Sequence, residues 1–126
     1  MNTSSLPALS HPGFELATSE TPLGLSARFA GTADMHANQP LERYLNSLHE
    51  IAAARGVRHV EVDFSALEFM NSSCFKAFVS WLGQIKDLPP DARYRVAFRS
   101  NASMHWQRRS LSALRCFAVE IVSIDP

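Results

Sequence analysis

Between His59 and Ile85 the hydrophobic period changes from two residues to about 3.6, and that change constrains the fold more than any other feature of the chain. His59-Val60-Glu61-Val62-Asp63-Phe64 alternates as a half-buried strand does. From Phe75 to Ile85 the pattern is helical. Asn71, Ser72 and Ser73 stand between the two, and all are N-cap residue types, so a helix is expected to begin there. With a start at Ser72 and a turn of about 100° per residue, the apolar arc holds Cys74, Phe75, Ala77, Phe78, Trp81, Leu82 and Ile85. The opposite arc holds Ser72, Lys76, Val79, Ser80 and Gly83. Phe75, Phe78, Trp81 and Leu82 are therefore expected in the core, and Ser72 and Lys76 in solvent.

The rest of the chain repeats this alternation of periods. Residues 1–13 carry Ser, Thr, Pro and Gly without periodicity and read as a flexible tail, which leaves 14–126 as one domain. Phe14 to Thr18 and Leu23 to Ala30 alternate on either side of a turn, and Gly31 ends this hairpin. Asn38 is an expected cap, Pro40 suits a first turn, and Leu41, Tyr44, Leu45, Leu48, Ile51 and Ala52 recur at helical spacing until Gly56. Leu88-Pro89-Pro90-Asp91 ends the helix that starts near Ser72, and Tyr94 to Phe98 reads as a strand. Ser103 is the expected cap of a third helix to about Phe117, with Met104, Leu111, Leu114 and Phe117 inward. Ala118 to Ile124 closes as a strand. Strands joined by crossover helices imply an α/β fold with a mixed or parallel sheet.

Composition excludes several classes. A chain of 126 residues with 46% hydrophobic and 19% charged residues is one ordinary globular domain. Twelve Lys and Arg balance twelve Asp and Glu, so there is no general electrostatic pull toward nucleic acid or anionic membrane. No basic start precedes an apolar run, and no stretch approaches the ~18 apolar residues of a membrane span. A cytoplasmic protein is expected, with Cys74 and Cys116 as buried free thiols and no disulfide between them. His11, His36, His49, His59 and His105 show no metal-ligand spacing, and no Gly-rich phosphate loop is present. No cofactor, metal site or catalytic residue is expected. A Ser72-dependent hydrolase is the enzymatic alternative, without a Gly-x-Ser-x-Gly motif to support it.

On residue types alone, Ser72 and Ser73 are a helix cap. Asp34 and Asp63 read as turn and strand-end residues that bond nearby backbone donors. Arg108, Arg109 and Arg115 share a side of the third helix with His105 and read as a solvated face.

Three segments together resemble a known family. Gly31-Thr32-Ala33-Asp34, the strand Val60 to Leu67, and Phe69-Met70-Asn71-Ser72-Ser73-Cys74-Phe75-Lys76-Ala77-Phe78 are similar in order and spacing to the STAS domain. That domain is named after sulfate transporters and anti-sigma-factor antagonists, and the resemblance covers about residues 14 to 124. Asn71 replaces the family's usual Asp, and Cys74 its usual Gly.

The resemblance implies a single STAS-like domain, a small mixed sheet covered by helices mainly on one face. It implies an anti-sigma-factor antagonist, free-standing and not part of a transporter. Such a protein binds a serine kinase, the anti-sigma factor, of the histidine-kinase-like ATPase class. Ser72 matches the phosphoacceptor, and a metal-dependent serine phosphatase would reverse the mark. The docking surface would comprise Asp34, Asn71, Ser72, Ser73, Lys76, Val79, Ser80 and Gly83. Neither nucleic acid nor membrane is an expected partner, and a homodimer remains open. The alternative is a phosphorylation-independent STAS-like scaffold or regulator of another enzyme.

Overall fold

A computed structural model describes residues 6–125 of the chain. The elements run β1 (Ala8–His11), β2 (Phe14–Thr21), β3 (Gly24–Ala33), α1 (Asn38–Arg55), β4 (His59–Met70), α2 (Ser72–Lys86), β5 (Arg95–Arg99), α3 (His105–Phe117) and β6 (Val122–Asp125). Short 3-10 turns lie at Met35–Ala37 and Pro90–Ala92.

The six strands form one mixed sheet in chain order, β1 to β6. β1, β2 and β3 pair antiparallel, whereas β3–β4, β4–β5 and β5–β6 are parallel. Each parallel step moves the chain one strand onward in the same direction. Three crossovers of the favoured right hand must then lay α1, α2 and α3 on the same face. Burial follows that rule. Leu25, Ala27, Phe29, Val60, Val62, Phe64, Val96 and Phe98 point into the core. The alternate residues Ser26, Arg28, Glu61, Asp63 and Arg99 lie on the uncovered face and are half-buried or exposed. There Ser26 Oγ donates to Glu61 at 3.3 Å, and Arg99 pairs with Glu61 at 3.7 Å.

The centre of the core is aromatic. Phe78 is fully buried, with ring centroids 5.5 Å from Phe29, 5.5 Å from Phe64 and 6.2 Å from Phe98. Trp81 continues the cluster at 6.3 Å from Phe78 and donates through Nε1 to the Tyr94 hydroxyl at 3.0 Å. Tyr94 also meets His49 Nδ1 at 2.7 Å, so one hydroxyl ties α1, α2 and the start of β5 together.

The structure departs from the sequence reading at several places. Ala8–His11, expected within a flexible tail, is the edge strand β1, paired to β2 in the register Leu9↔Leu16; residues 1–5 of that tail lie outside the described residues. Leu6 and Leu9 pack against the core, which is what recruits the segment. α1 starts without a cap from Asn38; Asp34 caps the preceding 3-10 turn instead, accepting from His36 N at 2.9 Å. Gly56 ends α1 in the left-handed region (φ 65°), as expected. Ser103 does not cap α3. Its N–H and hydroxyl both go to the Asn101 side chain. Phe117 and Cys116 are exposed, not inward, because α3 ends there and Ala118 turns into the core in their place.

The longest departure is in β4, which runs to Met70 instead of stopping near Phe64. Against β3 it carries two register shifts, between the partners of Arg28 and Ala30 and again between those of Gly31 and Thr32. Each shift inserts an extra β4 residue, a bulge that bends the strand. β5 pairs with β4 only as far as Asp63↔Arg99. Beyond that point β4 has no strand on that side among the described residues. Side chains from α3 and its leading loop take over. Gln107 Nε2 donates to the carbonyls of Phe64 and Leu67, both at 2.8 Å, and Asn101 Nδ2 donates to Ser65 O at 2.9 Å. Gln107 Oε1 accepts from Asn101 N at 2.8 Å, so the two act as one bracket.

Candidate functional site

The bulged end of β4 delivers the chain to α2 beside the end of β3. Ala33 and Met70 are register partners, and Asn71 N donates to Ala33 O at 2.8 Å. Asn71 is extended (φ −68°, ψ 155°), and its side-chain oxygen accepts from Ser73 N at 2.7 Å. This is the N-cap geometry that the residue type suggests, and it needs only an amide oxygen. The first helical bond follows, Phe75 N to Asn71 O at 3.0 Å. Ser72 is the first residue of α2, exposed, and its hydroxyl has no hydrogen-bond partner among the described residues.

Cys74 fixes the other side of this junction. It is fully buried, and its Sγ donates to the backbone carbonyl of Asp34 at 3.4 Å. Burial, with the Asp34 carboxylate second, pushes the thiol up to about 11, so it stays protonated and keeps donating. A side chain at this position thus fills the core and clamps the β3–α1 loop against α2. Asp34, half-buried, is brought beside the start of α2 by that clamp.

The expected residues divide by exposure. Ser72, Lys76 and Ser80 are exposed along α2, whereas Asn71, Ser73, Val79 and Gly83 are half-buried. Val79 packs partly against the core and is not a free apolar contact. Ser80 lines a groove between α1 and α2 with Glu42, Asn46 and Gln84. Phe78, Trp81 and Leu82 are buried as expected, and Phe75 is half-buried. Asp63 lies at the bulge, its carboxylate accepting from Ser65 N at 2.9 Å, and serves the strand and not the α2 end.

The apolar contacts that sequence reasoning missed are Met35 and Phe69. Met35 is 67% exposed and Phe69 49% exposed, large side chains left in solvent at the ends of β3 and β4 that flank Ser72. Phe69 is turned outward by the second bulge, which no periodicity reveals. Met35 follows the Asp34 cap, and its exposure depends on a turn whose register the sequence leaves open. An exposed hydroxyl at a helix N-terminus, a lysine one turn along and two exposed apolar side chains make a surface suited to a protein partner. The helix end favours negative charge near Ser72, and Lys76 adds to it. No base is hydrogen-bonded to the hydroxyl among the described residues.

Comparison of the sequence with protein-family models and with curated proteins gives no match. Comparison with solved structures gives a crystal structure of an anti-sigma factor antagonist from Mycobacterium paratuberculosis, 17% identical, with a TM-score of 0.66. The similarity covers 94% of this chain and 91% of that one, so the two share the fold over nearly their whole lengths. Among the described residues no helix is long and apolar enough to cross a membrane.

Proposed function

We propose that this chain is a cytoplasmic signalling protein that acts as an anti-sigma-factor antagonist, docking through the start of α2 and controlled by phosphorylation of Ser72. The observation that carries this reading is the Ser72 hydroxyl, exposed and unbonded among the described residues on the first turn of α2, within a fold similar to that of an anti-sigma factor antagonist. Met35 and Phe69 supply the apolar contacts, and Lys76, Ser80 and Asp34 the polar ones. The kinase that binds and modifies it belongs to the histidine-kinase-like ATPase class, and a metal-dependent serine phosphatase removes the mark. The chain is a substrate in this cycle and performs no catalysis.

The switch works by charge. A phosphate brings about two negative charges at neutral pH. In the free chain they sit at the favourable end of α2 with Lys76 one turn away, so the helix stays formed. In the complex the same charges are taken from water against a surface shaped for a neutral hydroxyl, and docking is lost. Asn71 supports a second reading. Its oxygen is used by the cap and it contributes no charge beside Ser72, which suits a docking module that is never phosphorylated. Intact mass and peptide mapping after incubation with such a kinase and ATP separate the two. One phosphate on Ser72, absent in Ser72→Ala, supports the switch; an unmodified chain beside an active kinase overturns it.

A further inference from the structure

The β6 edge of the sheet carries a second surface that shares no residue with the Ser72 end of α2. A cavity of about 330 Å³ lies among the loop from Ser100 to Met104, α3 and Ile124 of β6. From α3 it is lined by His105, Arg108, Ser112 and Arg115, and from β6 by Ile124. Arg109, expected on the same side of the helix, does not line it. Arg108 and Arg115 have no carboxylate within 4.0 Å among the described residues; the ion pairs there are Arg55–Glu20, Arg93–Glu120 and Arg99–Glu61. Asp125, the acidic residue of β6, gives its carbonyl to Ser100 N at 2.9 Å and stands at the end of the strand.

β6 is the last strand of the sheet, and its outer side is unpaired by any strand among the described residues. Ile121 and Asp125 turn their carbonyls inward, accepting from Val96 N and Ser100 N of the β5 side. In a parallel ladder the alternate residues then turn their N–H and C=O groups outward. These are Val122 and Ile124. The Val122 N–H is taken by Ala118 O at 3.0 Å. Among the described residues the Val122 carbonyl and both backbone groups of Ile124 have no partner, and they form a template beside the arginines.

We infer that this edge binds an extended acidic polypeptide segment of a partner protein, added as a seventh strand along β6. Backbone bonds to Val122 and Ile124 set its register. Every second side chain of the added strand falls on the helix-bearing side, over Arg108, Ser112 and Arg115. Carboxylates at those positions meet the Arg108 and Arg115 guanidiniums, which gives the surface its choice of sequence. A second copy of this chain is a poorer occupant. Two-fold pairing of β6 with β6 would bring both sets of Arg108 and Arg115 together, like charge against like.

The test uses the full chain and a fluorescein-labelled peptide in which glutamate and threonine alternate. Anisotropy is read against two control peptides, one with lysine for glutamate and one N-methylated at alternate amides. Binding of the acidic peptide is expected, with amide shifts at Val122, Ile124, Arg108 and Arg115. The paired substitution Arg108→Glu and Arg115→Glu should weaken it by at least about ten-fold. N-methylation should weaken it similarly, because it keeps the charge and removes the strand donors. Ser72→Asp should leave it unchanged, which separates this surface from the one proposed above. No binding at about 1 mM peptide overturns the inference. So does equal binding of the lysine or the N-methylated peptide, shifts confined to α2, or a dimer through β6 in sedimentation.

Discussion

Replacing Gln107 by methionine tests how the bent end of β4, and with it the Ser72 junction, is held. Gln107 is a buried polar residue of the core, with no exposed area. Methionine is likewise unbranched and fills similar space, so Gln107→Met removes polarity with little change of packing. Three bonds are lost, two from Nε2 to Phe64 O and Leu67 O and one from Asn101 N to Oε1, each 2.8 Å long. Two carbonyls on fully buried residues and one N–H are then left to find partners. At ~1–3 kcal/mol for each orphaned group, with some relieved by relaxation, the expected loss is about 3–6 kcal/mol. Equilibrium unfolding in urea reads this as a lower midpoint at unchanged slope. Amide exchange should rise over residues 64–73 more than over α1. A loss under about 1 kcal/mol would show that Gln107 does not hold the bulged carbonyls.

Three further outcomes are expected. Phe78→Ala should destabilise the fold by about 3–5 kcal/mol, as for a fully enclosed aromatic, and an unchanged melting curve would place Phe78 outside the core. Burial lowers the affinity of His49 for a proton below its ordinary value of 6.5, against a smaller opposite effect of Glu50. The unfolded chain then binds more protons than the folded one as pH falls through 6.5, so stability is full above that value and declines below it. That slope should shrink in His49→Gln, and stability that rises on acidification from pH 6.5 would contradict the sign. A maleimide reagent on the native chain should modify Cys116 and spare Cys74, whose buried thiol is held protonated; two modified thiols without unfolding would refute the clamp on Asp34 O.

The hairpin, α1 and its Gly56 stop, the phase of α2 and the α/β class were legible because one period or one residue type decides each. The Asn71 cap was legible for the same reason. β1 was not, since Pro7, Pro12 and Gly13 signal breaks and only the pairing with β2 makes Ala8–His11 a strand. The end of β4 was not, because its bulges put Phe64, Leu67 and Met70 inward at spacings that fit neither period. Gln107 had a faint signal. It falls on the stripe of Leu111 and Leu114, and a polar residue at a core position of a helix asks for a buried partner. Which carbonyls it meets depends on β5 ending at Arg99, a tertiary fact. Met35 and Phe69 join the site for the same kind of reason: strand ends and bulges, not patterns, expose them.

A phosphate on Ser72 should break docking at the start of α2. Calorimetric titration of a histidine-kinase-like serine kinase from the same cell with two forms of the chain, unmodified and carrying phosphoserine at position 72, measures this directly. Binding is expected for the unmodified chain and for Ser72→Ala, and a loss of at least about a hundred-fold, some 2.7 kcal/mol, for the phosphorylated form. Equal affinity of the two forms would rule out a charge switch at Ser72.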